Sequence, residues 1–297
     1  MSRFISAGLG ALTCALLAAA SLTPFSGTRA LEYTAHIVDF GVRPSGSPAG
    51  TRTAEYIEAQ LRPLPCRISE DTFTAQTPAG PVPMRNIIAT FPGSGNGRLL
   101  VITGHFDTKR MAGFVGANDG GSSTGLLLEM AQAIAARRWN HEVRLVWFDG
   151  EEAVKEWKEG DSKYGSTHLA QRWERDGTLA RIDALINVDM IGDKDLDIVR
   201  DYYSSKKLNA LVWKVAADLH DQGAFQSADG AIDDDHMPFR TRGVNAIDLI
   251  DFDYGPGNSW WHTTSDTMDK LSANSLQVVG DVVFTTLERL DSGAGNS

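Results

Sequence analysis

Apolar positions along the chain follow two rhythms. Short, nearly continuous apolar runs at residues 86–90, 99–103, 143–148, 184–188 and 244–250 are bounded by Gly, Pro or acidic residues. Runs of this length that are apolar on every position predict strands buried on both faces. The first two follow one another closely and are expected to be neighbours. Leu126, Leu127, Met130, Ala131 and Ile134 instead recur at helical spacing, predicting a helix over residues 122–137, and similar patterns predict helices near 204–220 and 272–290. Continuous apolar strands alternating with amphipathic helices predict an α/β fold, a sheet covered by helices on both faces. In such sheets functional side chains gather beyond the carboxyl ends of the strands.

The remainder of the chain shows no internal repeat and no low-complexity linker. The Gly-rich stretch at 92–97 leads straight into a strand, so it reads as a turn, and the chain from residue 31 to 297 reads as one domain. Residues 1–30 read as a signal peptide. Arg3 precedes an apolar and small-residue stretch at 4–22, no acid occurs before Glu32, and Thr28-Arg29-Ala30 offers a small-x-small cleavage site after Ala30. The other reading of this segment is an uncleaved membrane anchor, since its apolar length is near that of a span. The mature protein is expected to be exported, periplasmic or secreted, and no later segment is long and apolar enough to span a bilayer. Cys14 would be lost on processing, leaving Cys66 with no intramolecular disulfide partner.

Charge narrows the partners. The formal net charge is −10, and removal of Arg3 and Arg29 with the leader takes it to −12. An acidic surface argues against nucleic acid and anionic lipid as partners.

Candidate chemistry stands at the ends of the apolar runs. Gly104-His105-Phe106-Asp107 follows the second run, and Asn118-Asp119-Gly120-Gly121 precedes the first predicted helix. Glu151 and Glu152 follow the third run, Asp189 and Asp193 the fourth, and Trp260-Trp261-His262-Thr263 stands near the end. Each has a plain structural explanation when taken singly. An Asp before a Ser-rich helix start is commonly an N-cap, and paired glutamates are commonly a solvated face. Asp189, between Val188 and Met190, is harder to dismiss because an unpaired buried carboxylate is costly. Together they form an imidazole and carboxylate set of the type used by a catalytic zinc site, which keeps one coordination position open. One of two adjacent glutamates can bind metal while the other stays available as a general base.

These same residues carry a family resemblance. Gly104-His105-Phe106-Asp107, Asn118-Asp119, Glu151-Glu152, Asn187-Val188-Asp189-Met190 and Trp261-His262-Thr263 resemble the zinc-dependent aminopeptidase superfamily, peptidase clan MH. Phe148-Asp149-Gly150-Glu151-Glu152-Ala153 with Trp157 and residues 161–169, and Asp234-Asp235-His236 with Pro238-Phe239, are similar to the glutaminyl-peptide cyclotransferases (glutaminyl cyclases) of the M28 peptidase-like family, including their bacterial members. The resemblance runs from about Phe40 to Leu290. It implies a three-layer α-β-α sandwich around a mixed, mostly parallel sheet, and one Zn2+ bound by Asp119, Glu152 and His262. It further implies that Glu151 is the proton shuttle, networked with Asp189 and Asp234, and that Trp157 and Trp261 line the substrate pocket. The reaction implied is cyclisation of an N-terminal glutamine on a peptide or protein to pyroglutamate, with loss of ammonia.

Two departures bear on the pocket. Asp248 stands where animal members have a histidine and is taken as a substrate contact, as in bacterial members. Residues 251–259 do not align simply with animal sequences, so Phe252 and Tyr254 both remain candidates for an aromatic rim. The rival reading is a two-metal aminopeptidase, in which His105, Asp119 and Asp189 hold a second zinc and Glu151 deprotonates water. A third is a binding domain that has kept the fold without activity. Asp119, Glu151, Glu152 and His262 are all present, which argues against it.

Overall fold

The computed structural model describes residues 24–95 and 97–293. The apolar stretch at 4–22 and Cys14 lie outside the described residues. The chain opens with helices α1 (Gly27–Val38) and α2 (Pro48–Leu61), then a hairpin of β1 (Arg67–Thr77) and β2 (Gly80–Phe91). It continues through β3 (Leu99–His105), α3 (Ser123–Ala135), β4 (Glu142–Phe148), α4 (Tyr164–Arg175) and β5 (Ile182–Asp189). The last third comprises β6 (Ile198–Asp201), α5 (Lys206–Asp218), β7 (Phe225–Gly230), α6 (Met237–Arg240), β8 (Ala246–Ile250) and α7 (Ala273–Asp291). No helix among the described residues is long and apolar enough to cross a membrane.

The main sheet has the order β1-β2-β4-β3-β5-β8. The pairs β4–β3, β3–β5 and β5–β8 are parallel, and β1–β2 and β2–β4 are antiparallel. The expected mixed, mostly parallel sheet is therefore present. Strands β3, β4, β5 and β8 are buried along nearly their whole length because both faces are covered. Leu100 and Ile102 of β3 point into a core shared with α1, α3, α5 and α7, while Leu99 and Val101 point into a second core with Leu169 and Trp173 of α4 and Phe239 of α6. Strand alternation divides one apolar run between two cores.

One sequence expectation needs correction. Strands β2 and β3 are not neighbours, because β4 lies between them. The crossover from β3 through α3 brings β4 back parallel to β3 and antiparallel to β2, and the Gly-rich turn after β2 is long enough to step over one strand. Periodicity reports that a strand is buried, not which strand it pairs with.

The boundary expected after Ala30 lies within α1 in the full chain. Phe25 is 2% exposed, and its ring lies against Gly280 of α7 so closely that a Cβ there would stand 2.2 Å from it. Ser26 caps α1 by accepting from Arg29 N, and its own N–H donates to Glu129 Oε1 at 3.1 Å. Arg29 Nε donates to Glu129 Oε2 at 2.9 Å, and Glu129 is fully buried in α3. A cut after Ala30 would strip Glu129 of all these partners. Removing the partner of a buried charge costs several kcal/mol. We expect a chain beginning at Leu31 to be less stable than one beginning at Pro24 by about 3 kcal/mol or more, measured by denaturant unfolding; equal midpoints would show that this contact set contributes nothing.

Candidate metal centre and active site

The carboxyl ends of β3, β4, β5 and β8 bring the expected residues to one edge of the sheet. His105 is the last residue of β3, Asp189 the last of β5, and Glu151 and Glu152 follow β4 by three and four positions. Asp119 sits in a wide turn, Ala117–Ser122, that leads into α3. This turn requires a glycine at 120, where φ is +79° and a Cβ would meet Asp107 O at 2.7 Å and the His105 ring at 3.0 Å. Asp266 fixes the turn from below. Its buried carboxylate accepts from Asn118 N at 2.8 Å, Asp119 N at 3.1 Å and the Tyr254 hydroxyl at 2.7 Å.

His262 arrives from a loop 143 positions beyond Asp119, held in left-handed backbone at φ +52°. Its Nε2 is 3.4 Å from Asp119 Oδ2 and 3.4 Å from Glu152 Oε1. Asp119, Glu152 and His262 thus present one ligand atom each, all within 4.8 Å of one another, and so do His105, Asp119 and Asp189. Asp119 is common to both groups. The first group fits a zinc ion on its own evidence: both Glu152 carboxylate oxygens are buried and neither makes a close, well-aligned hydrogen bond, the nearest cationic or imidazole nitrogens, of His262 and Lys109, standing at 3.4 and 3.5 Å. A buried carboxylate in that state is expensive unless a cation satisfies it.

Adjacent glutamates are turned apart by a single acid. The Asp107 carboxylate accepts from Glu151 N at 3.1 Å and from Glu152 N at 3.4 Å, which holds the peptide between them and sends the two side chains to different places. Glu152 faces His262, whereas Glu151 Oε2 lies 3.9 Å from His105 Nδ1. Burial raises the Glu151 carboxyl well above the usual range; the nearby imidazole of His105 opposes this, and the charges of Glu152, Asp234 and Asp235 add to it. Burial together with the charge of Asp189 pushes Asp234 up to about 6. Asp189 is also raised by burial, against the opposing charge of His105, whose Nε2 lies 3.1 Å from Asp189 Oδ1. Burial works against the charged form of His105, yet Glu151 and Asp189 more than offset it and its proton is held well above the ordinary value. Asp119 shows the reverse balance. Burial would raise it, but hydrogen bonds from His105 and His262 hold it below the usual carboxylate range.

These groups open on a cavity of about 320 Å³ lined by Asp119, Glu151, Asp189, Asp234 and His262, with Trp157, Ile232, Phe252 and Trp261 as apolar walls. Phe252 lines the cavity and packs on Trp261 at 4.8 Å between ring centroids, whereas Tyr254 is fully buried with its hydroxyl committed to Asp266. Asp248, expected as a substrate contact, stands behind the cavity wall instead. It is 0% exposed, accepts from Asn187 Nδ2 at 3.0 Å and faces His236 Nδ1 at 4.0 Å. It lies on the same face of β8 as the lining residue Ile250 but two positions earlier, away from the strand end that opens on the cavity, where it meets His236 at the start of α6.

Sequence reasoning missed Asp107, Asp266, Lys109 and the pair Lys163 and Asp233. Lys109 lines the cavity with its ammonium 3.5 Å from Glu152 Oε2. Asp107 was visible in the Gly-His-Phe-Asp run but without a role. Asp266 had no signal at all, lying in a Ser/Thr-rich loop.

The peptidase family M28 pattern matches residues 86–287. A glutaminyl-peptide cyclotransferase-like protein of Bos taurus is 33% identical over 76% of this chain, and the match spans 66% of that protein's length. The structure is similar to that of an Acidobacteriales bacterium glutaminyl cyclase, with TM-score 0.87 and 38% identity over 90% of this chain and 95% of that one. It is also similar to a Zn-dependent exopeptidase from Parabacteroides distasonis, with TM-score 0.79 and 25% identity over 89% of this chain and 98% of that one.

Proposed function

Because the chain belongs to peptidase family M28, and within it to the glutaminyl-peptide cyclotransferases, we propose that it cyclises the N-terminal glutamine of peptides or proteins to pyroglutamate with release of ammonia. The observation that carries this reading is the position of Glu151. Its proton affinity is raised, it stands unligated beside a complete zinc-ligand set, and it faces a small cavity walled by Trp157, Phe252 and Trp261.

One Zn2+ on Asp119, Glu152 and His262 would supply Lewis acidity toward the substrate's side-chain amide carbonyl. The substrate's own α-amine is the nucleophile, so a tight pocket that curls the first residue removes much of the entropy cost. Glu151 accepts a proton from that amine as the new C–N bond forms. It returns the proton to the departing amide nitrogen, which leaves as ammonia when the old C–N bond breaks. The buried carboxyls of Asp189 and Asp234 keep the proton affinity of Glu151 high, and the tryptophans exclude water that would otherwise hydrolyse the amide. The apolar leader-like residues 4–22 support export, and the burial of Phe25 and the contacts of Ser26 and Arg29 with Glu129 favour processing ahead of Pro24.

The His105, Asp119 and Asp189 group favours one rival, two-metal removal of the first residue. One assay decides between them. Incubated with a glutamine-initiated and a leucine-initiated peptide, the purified zinc protein is expected to convert the first to a product lighter by one ammonia and to leave the second intact. Release of free leucine, or of free glutamine, would replace the cyclase reading with the peptidase one.

A further inference from the structure

The two tryptophan walls of the cavity are held by different means. Trp261 is sandwiched by other rings, 4.8 Å from Phe252 and 4.1 Å from His262 between centroids. Trp157 is 40% exposed and belongs to the irregular segment between β4 and α4. The buried Asp161 carboxylate ties down part of that segment by accepting from Val154 N and Lys155 N at 3.0 Å, Glu156 N at 2.8 Å and the Tyr164 hydroxyl at 2.8 Å. That set of bonds stops one residue short of Trp157. What meets the indole is an ammonium: Lys163 Nζ lies 4.6 Å from the ring centroid.

The same ammonium reaches a second loop. It donates to Asp233 Oδ2 at 2.6 Å, and Asp233 lines the cavity next to Asp234. The backbone N–H of Lys163 donates to Glu151 O at 2.8 Å, so one residue touches the segment bearing the base, the segment bearing Trp157 and the segment bearing Asp234. The arrangement is costly in itself. Lys163 occupies left-handed backbone at φ +51°, ψ 37°, which disfavours a side chain with a Cβ, and its long stem is ordered with only 11% of the side chain exposed. Asp233 is half exposed, and an ion pair with a solvated partner adds little stability. A strained and ordered lysine that gains little for the fold is explained by the geometry it imposes on the cavity.

We propose that Lys163 is a positioning residue that clamps the Trp157 loop to the Asp233–Asp234 loop and thereby sets the width of the pocket that receives the substrate's first side chain. This rests on the cyclase reading. The clamp acts through Trp157 and Asp233, without touching the reacting atoms, so its loss weakens substrate capture more than turnover.

Lys163→Met keeps the stem and removes the charge. With it, KM for a glutamine-initiated peptide is expected to rise about tenfold while kcat stays within about threefold, the pattern of lost binding rather than lost transition-state contact. Zinc content is unchanged. Acrylamide quenching of the Trp157 fluorescence, taken as the difference between each protein and its Trp157→Phe counterpart, is expected to increase. Lys163→Arg recovers most of the lost affinity. Asp233→Asn, on a half-exposed side chain, should reproduce the KM rise, and the double variant should add nothing further; this variant decides the matter if Lys163→Met fails to fold. An unchanged KM in Asp233→Asn, or a fall in kcat with unchanged KM and unchanged quenching in Lys163→Met, would overturn the clamp. Failure of the wild-type protein to cyclise glutamine peptides would instead overturn the proposed activity, and the quenching measurement would still report on the clamp.

Discussion

Replacing Glu151 with Gln should lower kcat on a glutamine-initiated peptide by about a thousandfold, within the range general acid–base groups contribute, while one zinc per chain remains bound. The amide keeps the size of the carboxylate and its place on the cavity wall but cannot carry the proton. Glu151 is not a member of either ligand group, and its backbone N–H, held by Asp107, is unaltered by the change. Loss of a like charge in a crowded acidic site should leave the fold no less stable, because burial and the charges of Glu152, Asp234 and Asp235 already oppose ionisation of Glu151. The measurements are steady-state kinetics and metal analysis on the same preparation. Turnover within tenfold of wild type would remove Glu151 from its role; joint loss of turnover and zinc would reassign it as a ligand.

The second large effect is expected from Asp119→Ala. Asp119 supplies an oxygen to both ligand groups, so its loss should deplete bound zinc to well under one per chain after dialysis and reduce kcat/KM by at least about a hundredfold. Its replacement also changes the metal-stripped protein in a direction that can be checked. There, burial works against the His262 imidazolium, but hydrogen bonds to Asp119 and Glu152 push its pKa up to about 9. A raised histidine contributes stability that is complete below its unfolded value, near 6.5, and is lost as the pH rises through the folded one. Metal-stripped wild type should therefore lose stability between about pH 6.5 and 9, and Asp119→Ala should lose less over the same window. An unaltered stability profile, or a full complement of zinc in the variant, would refute the assignment.

Much of this centre was legible from the chain itself, and its legibility had a physical cause. Strands buried on both faces must be apolar throughout, so any acid or imidazole just past their ends stands out, as His105, Glu151, Glu152 and Asp189 do. What stayed hidden depended on partners distant in sequence. Asp248 and Ile250 lie two positions apart on β8, yet only the latter reaches the cavity, because the wall is built by a neighbouring strand and helix. Phe252 and Tyr254 are equivalent aromatics until the Asp266 carboxylate claims the tyrosine hydroxyl. Lys163 stood within a block that carried the family resemblance but had no assigned role, because the strain in its backbone and its two partners exist only after folding.

By itself, then, the order of residues determined the α/β class, the edge of the sheet where chemistry collects, the family and the types of ligand available, since these follow from local periodicity and from side-chain chemistry. Tertiary structure alone decided that β4 enters between β2 and β3, that His262 closes on Asp119 and Glu152, that Asp107 turns the two glutamates apart, and that Lys163 bridges two loops. Those outcomes are contacts between segments up to 143 positions apart, and nothing in a local pattern records a distance that only the packed chain creates.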